Sequence, residues 1–230
     1  MSFSESKSKF DQKFSTKSIL ERSFCTVNGE FQDSIKIVDT KGLPNEEYYK
    51  WQFIYSLIDA NLVSRDYIGT EIYFPKGNIG STPIKIDAVV FSKTEWIDHY
   101  KKYQNDRDQD ALNWLRKNAI FMIEFKRDGD NKKIEQIFNS QIKATIKESD
   151  CERVLGAYYD KGRLYLFKKI GNNIFRLDNS KNFPTSQRIL EQYQLEITDP
   201  YFLIPNHDQL LKVNSKLSTI DVSSRYIEDL

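Results

Sequence analysis

Two apolar runs organise the chain: Ile84-Lys85-Ile86-Asp87-Ala88-Val89-Val90-Phe91 and Ala119-Ile120-Phe121-Met122-Ile123-Glu124-Phe125-Lys126. The second is the most strand-like segment of the sequence, and the first is apolar apart from Lys85 and Asp87. Side chains alternate faces along a strand, so Glu124 and Lys126 project from one side while Phe121, Ile123 and Phe125 point into a core. Isolated buried charges are costly, so a carboxylate and an ammonium in such a strand need partners or a bound ion. Asp87 adds a second carboxylate from the preceding strand. Two carboxylates and one lysine on adjacent strands suit a hard divalent cation, since Mg²⁺ takes oxygen ligands, keeps several waters and uses one or two protein carboxylates. Such an ion activates a water and screens phosphate charge during in-line attack.

Working outward, residues 46–63 predict a helix. Lys41-Gly42-Leu43-Pro44 breaks the chain, Asn45 is placed to cap, and Trp51, Ile54, Tyr55, Ile58 and Leu62 recur at spacings of three and four on one face. Before it, Phe24–Val27, the turn signal Asn28-Gly29 and Ser34–Val38 predict a hairpin. Thr70–Phe74 alternates like a strand. Residues 92–118 turn polar and charged, with Trp96, Tyr100, Tyr103, Leu112 and Leu115 spaced for one or two helices between the two apolar strands. A helix is expected over about 133–147, carrying Ile134, Ile137, Phe138, Gln141, Ile142 and Ile146. Two further strands joined by Asp160-Lys161-Gly162 predict another hairpin. The sum is an α/β sandwich around a mixed sheet.

Ile-Asp87 ahead of an apolar strand, followed by Ile-Glu124-Phe-Lys126, resembles the D…ExK signature of the PD-(D/E)xK nuclease superfamily. The surrounding elements are similar to the N-terminal nuclease domain of type I restriction enzyme motor (R) subunits: a helix with an acid, a strand bearing the Asp, the ExK strand, a Gln-bearing helix and a closing hairpin with a glycine turn. The resemblance covers residues 44–170. Asp87 and Glu124 stand 37 residues apart, which makes 92–118 a helical insertion. The resemblance implies a restriction-endonuclease-like fold, a mixed β-sheet flanked by helices. It implies Asp87 and Glu124 as metal ligands together with Phe125, Lys126 as the group that orients the attacking water, Glu47 as the helix acid and Gln141 as the helix amide. The implied cofactor is Mg²⁺, with Mn²⁺ as its substitute, and the implied activity is metal-dependent cleavage of DNA phosphodiester bonds.

Each residue also has a plainer reading. An ExK triplet alone is a common accident of a solvated strand face, and it gains meaning here from its apolar flanks and from the second acid-bearing strand. Glu47 reads equally as an N-terminal helix acid favoured by the helix dipole. Glu71 reads as solvated or paired, and Gln141 as an ordinary helix polar residue. His99 and His207, without ligand spacing, read as surface or loop residues.

Charge and composition bound the rest. Lys plus Arg is 34 against 33 Asp plus Glu, so no global polycation is present, but 115–170 holds 13 basic against 8 acidic residues, a local excess that suits a phosphate track. No Walker A or dinucleotide motif occurs, so ATP hydrolysis is not encoded. No apolar run reaches the roughly 18–20 residues of a membrane helix, the N-terminus lacks a secretory apolar region, and two isolated cysteines suit a reducing cytoplasm. The expected organisation is a flexible or marginally helical segment over 1–23, a nuclease-like domain over 24–180 and a C-terminal extension over 181–230. That extension, with a short helix over Ser186–Gln194 and no stop signal at its end, is expected to dock or link to a further domain. Expected partners are DNA and helicase, methyltransferase or restriction subunits. The rivals are a non-cleaving DNA-binding or assembly module of the same fold and an RNA- or structure-directed nuclease.

Overall fold

The computed structural model describes residues 3–14, 19–21, 26–61, 63–75, 82–126, 142–151, 154–160, 163–170 and 172–176. Leu62, Gln141, the first part of the helix expected over 133–147, the turn residues Lys161 and Gly162, and the whole extension over 181–230 lie outside them.

The centre is a six-stranded mixed sheet. Its strands are β5 (Ile68–Phe74), β6 (Ile84–Phe91), β7 (Ala119–Lys126), β8 (Leu155–Asp160), β9 (Arg163–Ile170) and β10 (Asn173–Arg176), lying side by side in the reverse of that order. Every neighbouring pair is antiparallel except β7 with β8, which is parallel. The two apolar runs quoted above are β6 and β7, with the bounds that their composition sets. Because they pair antiparallel, the 92–118 segment has to leave the sheet and return. It does so as α3 (Trp96–Asp106) and α4 (Gln109–Asn118), joined by Arg107 in the left-handed conformation and Asp108, whose side chain caps α4 at Ala111 N. The hairpin read around Asp160-Lys161-Gly162 is β8–β9, with Asp160 opposite Arg163.

Helix α2 (Glu46–Asp59) starts where Asn45 accepts from Tyr48 N. A single buried stripe does not describe it. Phe53 and Leu57 are buried along with Trp51 and Ile54, because α2 is sandwiched: one side packs on β7 and β8, with Phe53 edge-on to Phe125, and the other carries α1 (Phe3–Phe14). Of the lead-in expected over 1–23 to be flexible or marginally helical, residues 3–14 are a helix packed into the core. Phe10 and Phe14 are fully buried against Tyr48 and Tyr55, and each such ring contributes about 1.5–3 kcal/mol, enough to hold a twelve-residue helix that is weak alone.

The hairpin expected over 24–38 is also redistributed. Asn28 and Gly29, both at positive φ, make the turn, but it joins only β2 (Thr26–Val27) and β3 (Glu30–Phe31). Ser34–Lys36 forms β4 and pairs instead with β1 (Ile19–Glu21).

Two cores sit on the two faces of the large sheet. Under α2 lie Ile68, Ala88, Val90, Phe121, Ile123, Phe125 and Tyr159. On the opposite face, α3, α4 and the short helix α5 (Lys143–Lys147) cover Ile72, Phe74, Ile86, Val89, Phe91, Met122 and Phe167. These memberships locate a break in alternation. In β5, Ile68 belongs to one core and Ile72 to the other; in β6, Ile86 and Ala88 divide the same way. Residues an even number apart should share a face, so both strands turn over at the same level, where Glu71 stands opposite Asp87. Glu71 has φ 56°, the left-handed region, which supplies the twist. Among the described residues no helix is long and apolar enough to cross a membrane.

Candidate active site

The turnover in β5 and β6 delivers acidic and basic groups to one stretch of the β5–β6–β7 seam. Asp87 and Glu124 are 5% and 6% exposed, in strands that pair directly. Asp87 Oδ2 accepts from Phe125 N at 2.9 Å, so its carboxylate holds the peptide that follows Glu124. The Glu124 side chain lies on the other side of its strand from Phe125, and its Oε1 accepts from Thr145 Oγ1 of α5 at 2.8 Å. Phe125 is enclosed by Phe53 and Tyr159, so only its main chain has oxygen to offer a ligand.

Glu47 reaches this site through other charges. Its carboxylate accepts from Lys50 Nζ at 2.7 Å and from Trp51 Nε1 at 3.1 Å. Lys50, 2% exposed, also reaches Glu71 Oε1 at 2.6 Å; Glu71 Oε2 meets Lys85 Nζ at 2.5 Å, and that ammonium lies 4.0 Å from Asp87 Oδ1. The chain Glu47–Lys50–Glu71–Lys85–Asp87 therefore runs from the start of α2 to the β6 carboxylate. Burial pulls Lys50 down, but Glu47 and Glu71 outweigh it and hold the ammonium above its ordinary value. Burial pushes Glu71 up, and Lys50 and Lys85 outweigh that, leaving its carboxyl below the usual range. Lys85 is likewise pulled down by burial and raised on balance by Glu71, then by Asp87.

Of the residues expected from sequence, Asp87 holds the main-chain N–H of Phe125, the residue after Glu124, the Glu124 carboxylate itself binds Thr145, and Glu47 is linked to Asp87 through Lys50, Glu71 and Lys85. Lys126 ends β7 opposite Asp160; its side chain and all of Gln141 lie outside the described residues. Lys50, Lys85 and Thr145 were not singled out as site residues. The signals that could have marked the lysines are the i,i+2 spacing of Lys85 and Asp87 on a strand and the i,i+3 spacing of Glu47 and Lys50 on a helix; the i,i+4 spacing that sets Glu46 on the side of Lys50 pointed to the wrong acid, since Lys50 binds Glu47. Glu71, read as solvated or paired, is paired.

Among the described residues no group of three or more His, Cys, Asp or Glu side chains is arranged to hold a metal ion. The donor set nonetheless fits Mg²⁺ in kind: two buried carboxylates and main-chain oxygen, with water completing the shell, is the number and hardness this ion accepts. His99 stacks on Trp114 at 4.1 Å between α3 and α4, and His207 lies outside the described residues. Comparison of the chain with protein-family models, curated proteins and solved structures finds no match.

Proposed function

We propose that the chain is a metal-dependent DNA endonuclease with a restriction-endonuclease-like fold, acting within a restriction or defence system alongside helicase, methyltransferase or restriction subunits. The observation that supports this most is the placement of two buried carboxylates on neighbouring strands, with Asp87 holding the peptide that links Glu124 to Phe125. On this reading Asp87, Glu124 and the Phe125 main-chain oxygen hold Mg²⁺. When bound there, such an ion would acidify a water and screen phosphate charge. Thr145 fixes the Glu124 carboxylate, and Lys126, on the same face of β7 as Glu124 by strand alternation, orients the attacking water. The attacking water gives up a proton to solvent as its oxygen bonds to phosphorus, one ester P–O bond breaks, and the departing oxygen takes a proton from solvent. Lys85, 44% exposed at its side chain beside Asp87, attracts the phosphate backbone.

The deciding experiment is nicking of supercoiled plasmid in Mg²⁺ against EDTA. Wild type should cut only with metal, and Glu124→Gln and Lys126→Ala should each slow cutting about 10²-fold or more. Equal cutting in the variants, or none by wild type, removes the reading. A non-cleaving DNA-binding module is the second reading, favoured by the intramolecular contacts that Asp87 and Glu124 already make. It is selected if DNA is retained but never cut.

A further inference from the structure

The far end of the β5–β6 hairpin carries a cavity that the proposed cleavage chemistry does not use. Tyr73 pairs across the hairpin with Lys85, two residues from Asp87, and beyond it the strand edge opens into a space of about 240 Å³. Its walls are Tyr73, Phe74, Pro83, Tyr103, Gln104 and Arg107. Three observations give it a chemistry. Tyr73 is 37% exposed, an aromatic surface presented to solvent beside the opening. Gln104 Nε2 is buried and has no hydrogen-bond partner among the described residues, a donor whose desolvation none of them offsets. Arg107 caps α3 at φ 55°, with its N–H on Tyr103 O at 2.9 Å, and its guanidinium lies over the Tyr103 ring at 5.5 Å from the centroid. That backbone region suits Gly or Asn and strains a longer side chain, so an arginine there is held against local preference.

Aromatic surface, a buried amide donor and a cation around one small space are complementary to a planar heterocycle that carries a hydrogen-bond acceptor and an anion. The volume lies below the range of about 300–1,000 Å³ that encloses drug-sized ligands, which suits a single base rather than a paired one. We infer that this cavity binds one unpaired nucleotide: the base stacks on tyrosine, the phosphate meets Arg107, and rotation of the Gln104 side chain, whose Nε2 is covered in the free protein, presents its N–H to a base acceptor. The nucleotide comes either free or as an unstacked residue of a single strand, whose aromatic stacking tolerates any base.

The test is calorimetric titration of the full chain in EDTA with the four deoxynucleoside monophosphates, a short single-stranded oligonucleotide, a blunt duplex of the same sequence, inorganic phosphate and a nucleoside. Nucleotide and single strand should bind more tightly than phosphate or nucleoside and in a way that depends on Tyr73 and Arg107, whereas any duplex binding should not depend on them; binding of the monophosphate alone assigns the free ligand, and binding of the strand alone the unstacked one. Tyr73→Ala should weaken binding about 5- to 150-fold. Arg107→Gly should also weaken it while the melting temperature holds or rises, because glycine relieves the positive φ. Gln104→Leu should weaken binding of every base without loss of stability. Unchanged affinity in Tyr73→Ala and Arg107→Gly, phosphate binding as tightly as nucleotide, or no saturable binding overturns the inference. Glu124→Gln should bind like wild type, so failure of plasmid cleavage and failure of this site are separate results.

Discussion

Asp87 Oδ2 accepts the main-chain N–H of Phe125 at 2.9 Å, so a carboxylate enters the β6–β7 seam where the regular ladder stops at Ala88 and Ile123. Continued at the same register, Phe125 would face Ile86, whose side chain has already passed to the other core. The Asp87 side chain thus satisfies a buried amide that strand pairing leaves over. Its structural and chemical roles are separable by substitution.

Asp87→Asn keeps an acceptor oxygen and almost the same volume, whereas Asp87→Ala strands the Phe125 N–H. Urea unfolding should place the Asn variant within about 1 kcal/mol of wild type and the Ala variant about 1–3 kcal/mol lower. A thermal shift induced by Mg²⁺ should vanish in Asp87→Asn although the fold persists, since only charge is removed. A shift equal to that of wild type excludes Asp87 as a ligand.

Lys50 is a buried cation between two carboxylates, and removing it leaves their charges uncompensated. Lys50→Met should cost about 2–4 kcal/mol, less than a fully buried pair because Glu71 keeps Lys85 and Glu47 is partly exposed. Adding Glu71→Gln should recover part of that loss. A double variant whose cost is the plain sum of the singles would show that the network is not coupled.

The same network sets two limbs of the pH–stability curve. Glu71, held below its ordinary 4.5, contributes stability that is full above that value and disappears as pH falls below it through the folded-state pKa. Lys50 and Lys85, held above 10.5, contribute stability that is full below that value and fades as pH rises beyond it. Tyr100, pushed up to about 12 by burial, loses stability over the same alkaline range, from its ordinary 10.0 upward. Denaturation midpoints against pH should therefore plateau between the two limbs. In Lys50→Met both limbs should flatten, and unchanged limbs would assign the pH dependence to other groups.

Gly156 of β8 is the contact point for α5. A Cβ built there would lie 2.2 Å from Ile146 Cδ1 and 2.7 Å from its Cγ1. Gly156→Ala should destabilise by about 1–3 kcal/mol, and the cost should shrink when Ile146→Val is made in the same chain. Because Thr145 stands beside Ile146 and donates to Glu124, the same variant should lower any Glu124-dependent activity more than a surface change of equal destabilisation.

Local chemistry made much of the fold legible. The bounds of β6 and β7 follow from where apolar residues begin and end, the start of α2 from the capping oxygen of Asn45, and the β2–β3 turn from Asn28 and Gly29, which tolerate positive φ. The paired excursion of α3 and α4 was legible because polar residues interrupt two apolar strands. Less local features were not. The partner of Ser34–Lys36 lies at Ile19–Glu21, and nothing in either segment names the other. The burial of Phe10 and Phe14 depends on α2 offering a second apolar side, which a single-stripe reading of α2 leaves out.

For the site, the sequence by itself determined which residue types stand in the strands: Asp87 and Glu124 among apolar neighbours, each therefore in need of a partner. Tertiary structure alone decided the partners. The left-handed backbone at Glu71 and the matching turnover at Asp87 exchange the faces of β5 and β6, a change that period-two alternation cannot register. That exchange, with α2 packed above, brings Lys50 to Glu71 and Lys85 to within 4.0 Å of Asp87. The physical reason is range: alternation and capping act over a few residues, whereas desolvation and charge pairing are set by whichever distant segments the packed core brings within a few ångströms.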